Sequence, residues 1–207
     1  MSPEIVQKPI LVYDLGDTVV QTSKIARRYI HEFRGVIAHE KASKVVKSIY
    51  KLHNESGLSL YQAVTVLHIP KVYIKNVLHQ LSQNGQFKNQ INPKVAEIIK
   101  ENISAGYDVH ALSNIPTWFE EYATSVCKHL HFKEPFFFSS QIGCAKPDKK
   151  IYKHVSGILK TKDIILIDNN KNNVNSAIEF GWRPDSIHYK NASQLRTDLN
   201  YLINPNG

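Results

Sequence analysis

Residues 10–18 read Ile10-Leu11-Val12-Tyr13-Asp14-Leu15-Gly16-Asp17-Thr18. A short apolar run closed by an acid and a glycine-containing turn is the pattern of a buried strand that hands over to a loop at its C-terminal end. The motif recurs outward along the chain. Asp108 to Leu112 predicts a strand ending in Ser113-Asn114, Phe136 to Ser140 a short apolar strand, Ile164 to Ile167 a buried strand ending at Asp168, and Ser186 to Tyr189 the last core strand. Helical periods separate them, over Pro93 to Ser104 with Gly106 after its end, Thr117 to His129, Lys149 to Leu159, and Asn173 to Phe180 with Gly181 as its cap. Strands alternating with helices predict an α/β fold with an open, Rossmann-like parallel sheet, which binds ligands beyond the C-terminal ends of its strands.

One segment breaks the alternation. From residue 22 to about 84 the pattern is helical throughout, so we expect a core of residues 1–19 and 93–207 with a helical insertion, a cap, over 20–92. The charge supports that division. Residues 20–92 hold eleven Lys and Arg (among them Arg27, Arg28, Arg34, Lys41, Lys44, Lys47 and Lys51) against three acids, which accounts for the whole formal charge of +8. A basic segment of this kind is a solvated face or faces an anionic ligand. Nucleic acid is not the expected partner, because the chain shows no reading module and no Gly-rich basic tail. Tyr29, Phe33, Tyr50, Tyr61 and Tyr73 fall on apolar helix faces and read as cap core.

Composition excludes other classes. No run reaches the roughly 18 to 20 apolar residues of a membrane helix, and the N-terminus lacks a basic region followed by an apolar stretch. A cytoplasmic protein with no membrane span is therefore expected. Cys127 and Cys144 are the only cysteines, which excludes a disulfide scaffold and a four-cysteine zinc site. The ten histidines form no two-His helical metal pair.

The chemistry lies at the strand ends. Asp14, Ser113, Lys146 and Asp168 follow successive strands, and two carboxylates, a hydroxyl and an ammonium can converge on a phosphate with a divalent cation. Mg²⁺ takes oxygen ligands, usually one or two carboxylates completed by water and phosphate oxygens. A lysine there offsets the repulsion between an incoming phosphate and a nucleophilic carboxylate.

Taken together, Leu11 to Thr18, Ala111-Leu112-Ser113-Asn114, Gly143 to Asp148 with Ile151-Tyr152, and Ile165 to Asn170 with Asn173-Val174 resemble the four motifs of the haloacid dehalogenase superfamily over nearly the whole chain. The insertion sits where subclass I members carry a helical C1-type cap that covers the site and selects the substrate. The resemblance is to the subgroup of sugar-phosphate phosphatases and epoxide-hydrolase N-terminal phosphatase domains with an Asp-x-Gly first motif. It implies a Mg²⁺-dependent phosphoryl transfer from a small phosphorylated metabolite through an aspartyl-phosphate on Asp14. Asp14, the Gly16 carbonyl and Asp168 would hold the metal, Ser113, Asn114 and Lys146 would bind substrate, and Asn169 would support the metal ligands from behind.

The pattern departs from that family at two positions. The acid that usually stands two residues after the nucleophile is Gly16, with Asp17 next to it as a candidate replacement. The second acid of the fourth motif is Asn169. Three readings follow: a hydrolase of substrates with stable leaving groups, a terpenoid-pathway enzyme acting on a prenyl diphosphate, or a pseudoenzyme that binds a phosphate or a partner.

Overall fold

The computed structural model describes residues 8–21, 86–115 and 117–203. The helical readings over 22–84, the basic stripe and the cap aromatics lie outside the described residues. Five parallel strands form one sheet: β1 (Ile10–Tyr13), β2 (Val109–Ser113), β3 (Phe137–Phe138), β4 (Ile164–Asp168) and β5 (Ile187–His188), in the order β3-β2-β1-β4-β5. Between and after them run α1 (Pro93–Ser104), α2 (Glu120–His129), the single turn α3 (Ser139–Ile142), α4 (Lys149–Leu159), α5 (Lys171–Phe180) and α6 (Ala192–Ile203).

The apolar runs lack polar alternation because both faces of the sheet are covered. Leu11, Tyr13, Val109, Ala111, Ile165 and Ile167 pack in one core with residues of α1, α2 and α6. Their strand neighbours Ile10, Val12, Leu112, Ile164 and Leu166 turn to the other face, against Ile151, Tyr152 and Val155 of α4 and Ala177 of α5. The period of two along each strand thus divides one run of hydrophobic residues between two cores.

Side chains at the helix starts hold the layers in register. Asn92 accepts the Lys94 N–H beside Pro93, Asp148 accepts that of Lys150, and Asn170 that of Asn172. These caps satisfy donors that would otherwise be orphaned at the C-terminal edge of the sheet. Gly181 ends α5 at φ +106, a conformation that disfavours side chains, in agreement with its expected role as a cap.

Some boundaries differ from expectation. The strand expected to run to Ser140 stops at Phe138, because Ser139 begins a helical turn and its hydroxyl bonds both the N–H and the carbonyl of Ile115. The helix expected from Thr117 begins as a 3₁₀ turn and becomes α-helical at Glu120. The C-terminal helix α6 was not part of the sequence reading, although Asn191 caps it and Leu195 and Leu199 recur on its buried face.

The chain leaves and rejoins the core at one place. Val20 pairs with Ile91, Gln21 N–H donates to the Gln90 carbonyl, and Asn92 N–H donates to the Val19 carbonyl. Residues 19–21 and 90–92 thus lie side by side between β1 and α1. Among the described residues no helix is long and apolar enough to cross a membrane.

Strand order reverses at β1. The chain runs from β1 outward through β2 to β3, then returns to the other side of β1 for β4 and β5. A crevice at the C-terminal ends of the strands is the default ligand site of such a sheet.

Beneath it, Tyr13 is fully buried, and its hydroxyl accepts a 3.0 Å hydrogen bond from Asn102 Nδ2. Replacing Asn102 by Ala is expected to cost about 1–3 kcal/mol by denaturant unfolding, because a buried hydroxyl loses its partner. Adding Tyr13→Phe is expected to return part of that loss, and strict additivity of the two changes would contradict the pairing.

Candidate active site

Each strand that borders the crevice delivers one polar side chain to it. Asp14 follows β1, its N–H donating to the Ile167 carbonyl at 2.9 Å, so the backbone pairing of β1 with β4 carries one residue past the strand and fixes where the carboxylate starts. Ser113 and Asp168 are the last residues of β2 and β4. Lys146 comes from the loop between α3 and α4 and is 5% exposed.

The structure brings these four side chains together around the lysine. Its Nζ donates to Asp14 Oδ1 at 2.9 Å, to Asp168 Oδ2 at 2.6 Å and to the Leu112 carbonyl at 2.7 Å. An ammonium has three N–H groups, and all three are taken. Ser113 Oγ donates to the same oxygen of Asp14 at 3.1 Å. Among the described residues Asp14 Oδ2 takes no hydrogen bond, so one oxygen of the carboxylate is fastened and the other is free.

Asp168 is fully buried, and both its oxygens are engaged. Oδ1 accepts the Asn170 N–H at 2.8 Å, Oδ2 accepts Lys146, and Asn173 Nδ2 lies 3.1 and 3.0 Å from the two. Only the amino end of the Asn173 amide can face a carboxylate, and its Oδ1 is left buried without a partner. An orphaned buried acceptor is costly, so Asn173 holds Asp168 at its own expense.

The remaining expected residues have other partners. Asn114 Nδ2 donates to the Lys146 carbonyl at 2.7 Å while Lys146 N–H donates to Asn114 Oδ1 at 2.9 Å. This reciprocal pair clamps the backbone beneath the ammonium, so the amide expected to face substrate is spent on the lysine loop. Asn169 is held by its backbone, its N–H donating to Thr18 Oγ1 at 3.2 Å and its carbonyl accepting from His188 Nε2 at 3.1 Å. Asp17 sits at φ +56 in the turn after the nucleophile position. It lines an open cleft of about 860 Å³ with Thr18, Gln21, Asn92, Lys94 and Tyr189, and none of Asp14, Ser113, Lys146 and Asp168 lies in that wall.

Three contributors were not assigned roles from sequence: the Leu112 carbonyl, Asn173 and His188. Asn173 left a trace in the fourth motif, five residues beyond Asp168, which is where the first turn of a helix starting at Lys171 points back at the strand end. The other two left none, since one is backbone and the other is recruited by strand pairing.

Electrostatics follow from the geometry. Burial pushes the Asp14 carboxyl up, Lys146 pulls it back, Asp168 adds repulsion, and the result is about 6. For Lys146 burial acts downward, but the two carboxylates outweigh it and hold the ammonium above its ordinary range.

The magnesium ion expected at Asp14, the Gly16 carbonyl and Asp168 meets a donor set that does not fit it. Asp168 has no free oxygen, the two neighbouring positions where acids are usual hold Gly16 and Asn169, and among the described residues no three His, Cys, Asp or Glu side chains cluster as a metal site.

An all-parallel α/β sheet with a buried carboxylate–ammonium–carboxylate centre at its switch point defines the class. Solved structures narrow it. YfnB of Bacillus subtilis, described as a HAD-hydrolase and bound to magnesium, superimposes with a TM-score of 0.59 at 13% identity, over 94% of this chain and 99% of its own. A dehalogenase with an intermediate complex gives 0.57 at 17% identity, over 92% and 96%. A variant of the HAD family enzyme BT-2542 from Bacteroides thetaiotaomicron, complexed with magnesium and inorganic phosphate, gives 0.50 at 16%, over 85% and 92%. The chain therefore has the haloacid dehalogenase fold, as the resemblance of its four motifs implied. No family model and no curated protein matches it.

Lys146→Met is expected to lower stability by about 3–5 kcal/mol at neutral pH, since it strands two buried carboxylates. Without Lys146 the raised Asp14 carboxyl would titrate higher still in the folded protein than in the unfolded chain, so the native state binds the extra proton and the loss shrinks as pH falls. Urea unfolding at pH 7.5 and pH 5, pH values of about this spacing being enough to cross the titration, reads the difference. A deficit that does not change with pH would contradict the arrangement.

Proposed function

We propose that the chain is a hydrolase that works by covalent catalysis through Asp14 on a small anionic phosphorylated substrate whose leaving group departs as a stable anion. The observation that carries this reading is the asymmetry of Asp14. Lys146 and Ser113 both bind Oδ1, which leaves Oδ2 with a lone pair to offer. A purely structural buried aspartate would have both oxygens paired.

In the first step Oδ2 forms a bond to phosphorus, and the bond to the leaving oxygen breaks with its electron pair. In the second, water attacks phosphorus, the bond to Asp14 breaks, the carboxylate is restored, and the proton of that water passes to phosphate or solvent. Lys146 favours the ionised, oriented carboxylate before attack, and its positive charge stabilises the negative charge that develops in the transition state. With all its N–H groups engaged, it acts by charge and position and makes no direct bond to substrate.

Gly16 decides which substrates can react. It supplies no acid to protonate a leaving oxygen, a contribution worth roughly 10²–10⁴-fold. Anomeric, acyl and aryl phosphates need that help least. The insertion over 20–92, with all of the net positive charge, is the part of the chain we assign to selecting an anionic substrate. A prenyl diphosphate would rely on metal to ionise, and the donor set gives that reading little support.

A second reading has its own observation. The ionised centre carries two carboxylates against one ammonium, so a phosphate dianion would enter a site that is already negative. A monoanion that is attacked at carbon and releases a stable anion such as halide meets less repulsion. The nucleophile and the two-step course are the same.

Aryl phosphate, anomeric sugar phosphate, primary alkyl phosphate, farnesyl diphosphate and a 2-chloro acid form the test panel, with release of phosphate, diphosphate or chloride as the readout. Turnover is expected from activated substrates and not from the alkyl phosphate, with a loss on the order of 10³-fold or more in Asp14→Asn. As pH falls through about 6 Asp14 takes up a proton and stops acting as nucleophile, so kcat/KM is expected to fall on the acid side of that value. Equal turnover by Asp14→Asn would remove Asp14 from the chemistry. No turnover of any panel member would favour a binding role.

A further inference from the structure

We propose that this centre works without a divalent metal, with Lys146 as its buried cation among the described residues and Asp168 as the positioning residue that anchors Lys146 rather than a metal ligand. The proposal rests on the reading of Asp14 as nucleophile and extends it to what the reaction requires.

The argument starts from a count of lone pairs. Each carboxylate oxygen has two good acceptor directions. Asp168 Oδ1 spends its two on the Asn170 N–H and the Asn173 amide, and Oδ2 spends its two on the same amide and on Lys146. A cation that recruited Asp168 would have to displace one of these. The Asn170 N–H belongs to the residue that caps α5, and Asn173 lies in that helix's first turn, so these bonds tie the helix start to the strand end. The remaining bond, to Lys146, is the shortest in the cluster at 2.6 Å, and displacing it would set a divalent ion beside a buried ammonium that had lost one of its two carboxylate partners.

Asp14 cannot compensate. Its Oδ1 holds both Lys146 and Ser113. A metal would therefore have to share Oδ2, the oxygen that makes the new bond, and would draw electron density away from the lone pair that attacks. Among the described residues no third acid clusters with Asp14 and Asp168, and the positions where one is usual hold the neutral Gly16 and Asn169. Neutral oxygens alone do not draw a hard dication out of water, since protein Mg²⁺ sites use at least one or two carboxylates. The two departures from the usual motifs, Gly16 and Asn169, therefore form one consistent change. Each removes an acid from the edge of the site, and the ammonium bridging the two surviving acids offsets half of their charge.

This arrangement gives Asp168 a defined task. Its carboxylate, Asn173 behind it and the Asn114 clamp on the lysine backbone together fix the position of Nζ, and Nζ in turn fixes Asp14 Oδ1. Asp168 also repels the charge on Asp14, which adds to the larger upward push of burial.

The test combines a binding readout that needs no substrate with a kinetic one. Calorimetric titration and thermal melting of the EDTA-dialysed full chain with Mg²⁺ are expected to show no saturable heat and no change in melting temperature at millimolar Mg²⁺, whereas a resident site would stabilise the fold by mass action. One-to-one binding with a Kd below about 1 mM, or binding abolished by Asp168→Asn, would overturn the proposal. For any panel substrate that turns over, EDTA is expected to leave the rate unchanged, and Asp168→Asn to lower kcat while leaving KM nearly unchanged, because Asp168 acts through Lys146 and does not itself hold substrate. Activity lost to EDTA and restored by Mg²⁺, or a kcat unaffected by Asp168→Asn, would also overturn it. The titration is decided even if nothing in the panel reacts, so failure of the metal proposal and failure of the hydrolase reading are distinguishable.

Discussion

A buried ammonium shared between two buried carboxylates is stable only if every charge finds its partner, because desolvating three ions costs more than any one pair returns. That constraint organises the crevice. Lys146 needs three acceptors and finds them on three successive strands of the sheet order, at Leu112, Asp14 and Asp168. The acceptors are in reach because β2, β1 and β4 are neighbours in one parallel sheet and end level with one another. The loop carrying Lys146 is fixed in turn by Asn114, and Ser176 Oγ donates to the Pro147 carbonyl at 2.6 Å. Loss of the ammonium would therefore disturb more than the chemistry.

The same constraint explains how a carboxylate is kept reactive in a dry site. Burial alone would protonate Asp14, and full pairing would quench it. Among the described residues one oxygen is paired and the other is not, and the side chain as a whole is 9% exposed. Its titration near 6 leaves it mostly ionised at neutral pH, at a cost in stability that is present above that value and relieved as pH falls toward the ordinary carboxyl range. Here a little stability is given up for a prepared nucleophile, a common balance at functional sites.

Much of the architecture was legible in the chain because the physics is local. Runs such as Ile164 to Ile167 have no alternation, which is what a sheet buried on both faces requires, and the polar residue closing each run marks the strand end. Asp14, Ser113, Lys146 and Asp168 could be read as one group because a parallel sheet brings all its C-terminal ends to one edge. What could not be read is which atoms touch. The sequence presents Asp168 and Asn173 as two polar residues of one motif, and only the first turn of α5, starting at Lys171, turns the amide onto both carboxylate oxygens. Asn114 looked like a substrate ligand for the same reason: its position at a strand end is visible, whereas its pairing with a backbone 32 residues away depends on the α3 turn that ends in Gly143 at φ +78. The early end of β3 likewise depends on the Ser139 hydroxyl, a contact across the sheet edge that strand propensity does not encode.

The central claim is that Asp14 becomes covalently bonded during turnover. It is tested most directly by mixing the protein with an aryl phosphate, and separately with a 2-chloro acid, quenching in acid within the first turnovers, and mapping the adduct by peptide mass spectrometry. The account expects a labile ester on the peptide containing Asp14, formed with one of the two reagents and absent from Asp14→Asn. Product formed with no adduct on Asp14, or an adduct on another side chain that persists in the Asn variant, would contradict it.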